Sequence, residues 1–579
     1  MKKHIPFDQL KLHPPYRVFR SGRDGVIGHD TESLMTGYAF LITNSLGDFV
    51  WIRSPEDVVH YLSAQKHTKT FNTLWNMDFD VSVLLKWLGK EFCKQLLTYG
   101  CAYYGSIYFE YVPKRFLIVR DGRVWNTYFD ASQYYIPRSL DGASKAYLNK
   151  AKIGIGRKEF YESDYNNAEV LEYCIYDSKL CAELTQLLLC DLHDMGFEPA
   201  TLSSPGTVME EALVGAVYLP DITKIPKGAL EYAYNSYKGG WMECFKRGYF
   251  PKLWDYDVSS AYPYQVAKLT DLNGGVWQFK KGTIPPSTLG FVKCYVDITS
   301  DISPIIYQAD VNFTPKGRWL TNLTLDEVEF IRLHALGSVD VIDGWYFNPA
   351  RDATNPFKYS MRRLFRQKSQ IKNGWLPKAL SVALYGKFAQ RYEDGATGNL
   401  FNPIYASVIT ARTRLQIAEY ALMLPKSLAV IATDGLTFDA PLPRSVLSSK
   451  FGGLRMSHND EGVVVGTNVY TIKGKYPGGA WRPGRFDWLH LLRKYPNKKV
   501  FSLKHLRPVT LREGVLSDFK HWKDVGVFKE FPYDFHINFD HKRIYQKVSC
   551  ARELMEGQFE CLPWEVSIPQ HRKALWELR

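Results

Sequence analysis

Trp254-Asp255-Tyr256-Asp257-Val258-Ser259-Ser260-Ala261-Tyr262-Pro263 reads as an apolar strand that carries an aspartate to its end, then stops at a turn leading into a helix. A carboxylate in that place can ligate a divalent cation, and the backbone N–H groups of such a turn can cradle a triphosphate. Taken alone, a strand-end aspartate before a Ser/Tyr turn is more often structural than catalytic. Its partner lies far down the chain, where the apolar run Leu428 to Ala432 is followed by Thr433-Asp434-Gly435 and by Leu436-Thr437-Phe438. Asp-Gly is favoured in hairpin turns for backbone reasons, so Asp434 also has a purely structural reading. On adjacent strands the two read differently, because paired carboxylates there can hold two Mg²⁺ ions for phosphoryl-transfer chemistry.

Between these strings lies Lys378-Ala-Leu-Ser-Val382-Ala383-Leu384-Tyr385-Gly386-Lys387-Phe388. Lys378 and Tyr385 are seven residues apart and share one helical face, where a lysine can meet phosphates and an aromatic ring can pack on a base. Upstream, Arg362-Arg-Leu-Phe-Arg366-Gln-Lys368 adds cations at helical spacing, although such a run is usually a solvated face. The pattern predicts two basic helices broken at Asn373-Gly374.

A second acidic set occupies the first third. Asp30-Thr31-Glu32 is the only Asp-x-Glu triplet in the chain, and strand periodicity points both carboxylates to one face. Asn76-Met77-Asp78-Phe79-Asp80 heads an apolar helix, and Tyr173-Cys174-Ile175-Tyr176-Asp177 lies inside a long helical pattern from Ala168 to Met195. Asp30, Glu32, Asp80 and Asp177 could together hold two metal ions, and Tyr173, one turn before Asp177, could orient a water. Singly, each has a bland alternative: Asp80 as a helix-start carboxylate, Tyr173 and Asp177 as an ordinary helical pair.

Composition sets the frame. The chain has 579 residues, 45% hydrophobic and 15% aromatic, enough for several cores, so a multidomain protein is expected. Nine scattered cysteines without a Cys-x-x-Cys pair indicate neither a disulfide framework nor a thiolate zinc site and suit a reducing cytoplasm. No signal core or membrane-spanning run is read. Residues 471–579 hold 21 Lys and Arg against 12 Asp and Glu, a net of +9 out of +13 for the whole chain. The C-terminal region is therefore the expected grip on a polyanion. Breaks are expected at Ser203-Ser204-Pro205-Gly206, at Asn373-Gly374 and after Tyr476-Pro477-Gly478-Gly479.

The ordered set resembles the family B DNA polymerases, and more narrowly their protein-primed branch of bacteriophages, adenoviruses and linear plasmids. Asp30-x-Glu32, Asn76-x-x-Phe79-Asp80 and Tyr173-x-x-x-Asp177 are similar to that family's three exonuclease motifs, and Ser139-Leu140 and Lys152-x-x-Ile155 to its accessory single-strand-binding and lysine motifs. Tyr237-Lys238-Gly239-Gly240 resembles the linking element that helps hold primer-template DNA. Asp257 to Pro263, Lys378 to Gly386 and Thr433-Asp434 resemble the polymerising motifs. The resemblance implies an α/β multidomain fold: an RNase H-like 3′–5′ exonuclease domain (1–200), palm (201–356 and 396–474), fingers (357–395), and a thumb and DNA-binding region (475–579). It implies template-directed DNA synthesis with proofreading. Metal ligands would be Asp257, Val258 and Asp434 in one site and Asp30, Glu32, Asp80 and Asp177 in the other, holding Mg²⁺, with Mn²⁺ as a substitute. Val258, Tyr262, Arg366, Lys378 and Tyr385 would contact the incoming dNTP. Tyr237, Gly239, Gly240, Ser139, Leu140, Asn76, Phe79 and Lys152 would contact DNA. Primer-template DNA, dNTPs and a terminal protein primer are the implied partners of a monomer working in a cytoplasm, that of the host if it is viral.

The sequence departs from the family in four places. Ala432 replaces the first carboxylate of Asp-Thr-Asp, Val382 and Ala383 replace Asn-Ser, and Ala261 replaces Leu. Only 49 positions separate Tyr385 from Asp434, so the insertion that promotes strand displacement in relatives is expected to be reduced or missing. The lysine of the thumb-side Lys-x-Tyr motif is read as absent, the best match being Asn468-Val469-Tyr470. These departures leave open an exonuclease with an inactive polymerase body, or a DNA-binding protein without catalysis.

Overall fold

The structure is a computed structural model and describes residues 5–16, 22–156, 159–476 and 486–567. The break expected after Tyr476 falls on residues 477–485, outside the described set.

The N-terminal part is built on an eight-stranded sheet ordered β3-β2-β1-β4-β8-β7-β6-β5. Its strands are β1 (Val26–Ser33), β2 (Ala39–Asn44), β3 (Phe49–Trp51), β4 (Phe71–Leu74), β5 (Cys101–Tyr104), β6 (Ile107–Val112), β7 (Phe116–Asp121) and β8 (Val124–Asp130). β1, β4 and β8 run parallel, and the hairpins on either side are antiparallel. All six residues of β2 are buried, which matches a near-continuous apolar strand covered on both faces. Against this sheet pack α1 (Met77–Leu85), α2 (Lys90–Tyr99) and the long α3 (Ala168–Asp194). Gly28 makes the α3 contact possible. A Cβ there would lie 2.2 Å from the carbonyl oxygen of Ser178, so only glycine lets the helix approach β1.

Two further sheets follow. One contains β9 (Met242–Cys244), β10 (Lys246–Val258), β15 (Leu428–Ala432), β16 (Gly435–Phe438), β17 (Leu454–Gly466) and β18 (Val469–Ile472), ordered β18-β17-β10-β16-β15-β9. The other, ordered β11-β14-β12-β13-β23, takes β11 (Val276–Lys281), β12 (Leu289–Ile298), β13 (Lys316–Thr324), β14 (Gly337–Asn348) and β23 (Glu565–Val566). Residues 276–348 thus supply four of the five strands of a second sheet within the expected segment 201–356, and the fifth comes from the C-terminal region. Helices α4 (Ala261–Val266), α5 (Leu325–Leu333), α6 (Lys358–Gln367), α7 (Trp375–Phe388) and α8 (Pro403–Ala421) surround these sheets. The two basic helices predicted around Asn373-Gly374 are α6 and α7.

The C-terminal fifth is not one body. β19 (Val500–Pro508) and β20 (Phe528–His536) form a separate ribbon, whereas β22 (Gln558–Leu562) pairs with β10 and β23 runs parallel to β13. Between β19 and β20, α9 (Leu511–Leu516) and the turn after it leave the ribbon and dock on α1, α2 and the β1–β2 turn of the N-terminal unit. Val509, Leu511, Trp522 and Val525 share one buried cluster with Val81, Leu85 and Leu96. At this contact the Lys86 ammonium, almost fully buried, donates to the carbonyls of Thr36 (2.7 Å), Val525 (2.8 Å) and Lys523 (3.0 Å). Lys86→Met should leave those carbonyls unpaired and weaken the contact by about 2–4 kcal/mol. Hydrogen exchange should then show loss of protection centred on residues 509–527.

Between α7 and α8 the chain runs only through residues 389–402, with no inserted subdomain, as the spacing predicted. The N-terminal segment straps this turn: Lys11 N donates to Gly395 O (2.9 Å) and Asn399 Nδ2 to Tyr16 O (2.8 Å).

Candidate active sites

β1 presents Asp30 and Glu32 on one face, and α3, brought close by Gly28, presents Cys174 and Asp177 to it. Ligand atoms of Asp30, Glu32 and Cys174 all lie within 4.8 Å of one another. Asp80, in the first turn of α1, accepts from Thr31 Oγ1 at 2.6 Å. Lys152 forms an ion pair with Asp177, and its Nζ lies 5.1 Å from the centre of the Tyr173 ring. Burial works against the charge on Lys152, but Asp30 and Asp177 more than offset it and hold the ammonium protonated.

The carboxyls here are all pushed upward. Burial raises Glu32 to about 8 and Asp80 to about 7, opposed by Lys152 at Glu32 and by the Thr31 hydrogen bond at Asp80. Asp30 is raised by burial and then by the neighbouring charges of Asp177, Glu32 and Asp80. Cys174 was missed in the sequence. Burial and Asp30 keep its thiol protonated, and it faces the Asp30 carboxylate at 3.6 Å, so it serves as a weak donor rather than a thiolate ligand.

So many buried carboxylates can ionise together only beside positive charge, and an oxygen-rich donor set suits a hard divalent cation. Because Glu32 and Asp80 have pKa values above their unfolded ones, the metal-free fold holds protons the unfolded chain releases. Their contribution is complete below about pH 4 and is lost as pH rises to about 8. In chelator, stability should therefore fall between pH 5 and pH 8, by at least about 1 kcal/mol. The rise in Tm on adding Mg²⁺ should be larger at pH 8 than at pH 6, which differential scanning calorimetry would measure.

The remaining expected exonuclease positions are dispersed around this cluster. Ser139 caps the short helix that begins at Leu140, its side chain accepting from Gly142 N. Asn76 is an exposed left-handed residue before α1. Phe79, on α1, packs against Phe528 of β20 with ring centroids 5.7 Å apart.

The second cluster forms where β10 ends. Asp257 pairs with Gly435 in the β10–β16 ladder, and Asp434 sits in the β15–β16 turn. Val258 N donates to Asp434 O at 2.9 Å, which ties the two carboxylate-bearing segments together. Burial raises the Asp257 pKa, Lys475 opposes that, and Asp255 and Asp434 add to it. Two amides expected to cradle phosphates are already engaged, Val258 N as above and Ser259 N with Gly453 O at 2.8 Å. Cations surround the turn instead. Lys368, at the end of α6, donates to Ser260 Oγ at 2.5 Å, and its pKa is lowered to about 8 by burial, then by Lys378 and Arg455. Arg366 is exposed and lines a groove with Arg362 and Arg363, so Lys368 is the cation that α6 brings to the turn.

Tyr262 and Tyr385 stack at 4.3 Å with ring planes 14° apart. A Cβ at Gly240 would come within 2.7 Å of the Tyr262 hydroxyl, whereas one at Gly239 would meet open space, so it is Gly240 whose lack of a side chain lets this segment pass close to the stack. That element is anchored from below: Arg414, fully buried on α8, donates to Lys238 O (2.9 Å) and Gly239 O (2.8 Å) and pairs with Glu327 (2.7 Å). Tyr237 lines cavities on either side of the element, one of them shared with Tyr385 and Gly386.

Asp255, Arg455 and Lys475 were not singled out in the sequence, and Lys368 was named there only as one of a basic run. Strand parity could have found Asp255, which shares a face with Asp257 and accepts from Thr437 Oγ1 at 2.9 Å. Lys475 forms an ion pair with Asp255 and lies 3.8 Å from Asp257. Lys475, five residues beyond Tyr470, is thus the lysine that this segment brings to Asp257.

No family model matches the chain. The architecture, an N-terminal unit joined to parts arranged as the palm, fingers and thumb of a polymerase, is a multidomain α/β fold of the DNA polymerase kind. In particular the chain shares the fold of Phi29 DNA polymerase. It is similar to that enzyme complexed with primer-template DNA and incoming nucleotide substrates, with a TM-score of 0.64, 15% identity, and coverage of 90% of this chain and 100% of that one. The Phi29 enzyme complexed with single-stranded DNA gives a TM-score of 0.62, 16% identity and coverage of 89% and 100%. In sequence, the chain is 23% identical over 470 residues to a DNA polymerase of Acidianus bottle-shaped virus (isolate Italy/Pozzuoli), 73% of this chain and 69% of the relative. The resemblance first read from the motifs is borne out. No helix among the described residues is long and apolar enough to cross a membrane.

Proposed function

We propose that this protein is a template-directed DNA polymerase with a 3′–5′ proofreading exonuclease, replicating a viral or plasmid genome as a monomer in the host cytoplasm. The observation that carries the reading is the convergence of Asp257 and Asp434, 177 positions apart in sequence, on one turn beside a stacked tyrosine pair and three cations. The fold shared with Phi29 DNA polymerase supports it.

Asp257 and Asp434, with the Val258 carbonyl, would hold Mg²⁺, or Mn²⁺ in its place. Bound there, the metal would lower the pKa of a primer 3′-hydroxyl and neutralise departing pyrophosphate. The chain's own groups do the positioning. Lys368, Lys378 and Arg455 meet the triphosphate, Tyr262 lies under the sugar, and Tyr385 packs on the nascent base pair. Lys475, held by Asp255, fixes the Asp257 carboxylate. In the other cluster, Asp30, Glu32, Asp80 and Asp177 take metal, Lys152 holds Asp177 in place, and Tyr173 orients the attacking water. Tyr237, Gly239 and Gly240 guide primer-template DNA between the two sites, and Ser139, Leu140, Asn76 and Phe79 hold the frayed strand.

The loss of a carboxylate at Ala432 favours a catalytically silent polymerase body, and Asp255, two residues before Asp257 on the same strand face, weighs against that reading. Protein priming is part of the proposal, with a terminal protein as partner. The test is extension of a singly primed template with Mg²⁺ and dNTPs. Product that depends on both, and starts without an oligonucleotide when a terminal protein is supplied, is the expected result. Degradation without extension would leave only the nuclease.

A further inference from the structure

Asp255 and Asp257 lie two residues apart on β10 and share a strand face, yet the fold treats their carboxylates differently. The Asp255 side chain is 3% exposed and fully engaged: it accepts from Thr437 Oγ1 at 2.9 Å, from Ser457 Oγ and from the Lys475 ammonium. The Asp257 side chain is 35% exposed and accepts no hydrogen bond from a described residue. An accessible carboxylate with its lone pairs open suits a hard cation, and one saturated by three donors does not. Asp255 is therefore an anchor rather than a metal ligand.

Three strands build that anchor. In the β10–β17 ladder Asp255 pairs with His458 and Tyr256 with Met456, so Ser457 is the extra residue of a bulge, and its hydroxyl is turned onto Asp255. β18 ends in a tight turn: Lys475 N donates to Ile472 O at 2.7 Å and Ile472 N to Lys475 O at 3.2 Å, with Gly474 in the left-handed region that glycine adopts without strain. The Lys475 side chain is thus held at both its root and its head. Its Nζ donates to Asp255 and to Ser457 Oγ (2.8 Å) and stands 3.8 Å from Asp257 Oδ2, too far for a hydrogen bond and near enough for strong charge attraction. An untethered lysine would close that gap. The tie to Asp255 keeps it open.

We propose that Lys475 is a resident counter-cation of the polymerising site: it neutralises Asp257 in the metal-free enzyme and keeps a free divalent cation from settling there ahead of the nucleotide. A cation on Asp257 would face this ammonium as a like charge in a partly buried site, and the negative triphosphate offsets that repulsion when the two arrive together. Lys475 acts through Asp257 and is a positioning residue. The assignment rests on the reading of Asp257 as a metal ligand, and the two are tested apart.

The experiment measures Mn²⁺ binding by the full chain, without DNA or nucleotide, from the electron paramagnetic resonance signal of the free ion. The protein carries Asp30→Ala and Glu32→Ala to weaken the other cluster, and Asp257→Ala in the same background identifies the binding that depends on this carboxylate. Lys475→Met should tighten the Asp257-dependent site about tenfold, and Lys475→Arg should leave it near its starting value. Asp255→Asn should weaken the site, because the released ammonium closes on Asp257, and adding Lys475→Met to Asp255→Asn should reverse that loss. A folding defect can only weaken binding, so tightening separates a positioning role from a structural one. If Lys475→Met alone fails to fold, the double variant makes the same test with no buried charge left unpaired. Unchanged or weaker affinity on Lys475→Met in both backgrounds, or no Asp257-dependent binding in any of these proteins, overturns the proposal. Absence of primer extension with the tightening intact would sink the polymerase reading alone.

Discussion

Asp257→Ala should reduce primer extension by on the order of 10³-fold while single-stranded DNA is degraded at the wild-type rate. The size follows from what the proposed mechanism asks of the side chain: Asp257 would be one of two carboxylates holding metal charge against the reacting phosphate, and Ala432 offers no reserve on the neighbouring strand. The selectivity follows from the sheets, since Asp257 lies on β10 and the other carboxylate cluster on β1, α1 and α3. Asp255→Asn should be milder, because Lys475 would lose its buried partner yet remain near Asp257. Gel-resolved extension and degradation on the same labelled primer separate the two activities. Persistent extension by Asp257→Ala would remove this residue from the mechanism.

Asp30→Ala combined with Glu32→Ala should do the reverse, with degradation falling by on the order of 10³-fold and extension retained. The double change should not destabilise the metal-free protein. Burial raises the pKa of both Asp30 and Glu32, and the like charges of Asp177 and Asp80 add to it at each, so their removal relieves repulsion around Asp177 and Asp80. In chelator at pH 8 the melting temperature should stay level or rise, and the stabilisation by Mg²⁺ described above should shrink. A variant that melts early and loses both activities would show that the pair builds the fold rather than the site.

Much of this arrangement was legible along the chain. Asp30 and Glu32 share a face because strand side chains alternate, and Asp177 follows Tyr173 by one helical turn. These are local regularities, and they survive into the structure. The short link between α7 and α8 was equally plain from the count between Tyr385 and Asp434. What escaped notice had no local signature. Lys475 lies 218 residues from Asp257 in sequence, and only the pairing of β10 with β17, and of β17 with β18, brings it near. Cys174 was passed over between Tyr173 and Asp177, and only the approach of α3 to β1 at Gly28 brings it to Asp30. The amides of Val258 and Ser259 looked free because their partners, Asp434 O and Gly453 O, come from distant turns.

By itself the sequence determined the identities and order of the carboxylates, the helical and strand faces that carry them, and the cations available on α6 and α7. Backbone periodicity and side-chain chemistry act within a few residues, so they can be read before the chain is folded. Tertiary structure alone decided which of those groups meet. It chose Lys368 over Arg366 for the Ser260 turn, paired Lys475 with Asp255, and folded the segment around α9 back onto the N-terminal helices α1 and α2 through Lys86. Burial supplies the reason. The charge state of a carboxylate and the worth of a lysine beside it depend on how much water the rest of the fold excludes, and no window of sequence contains that information.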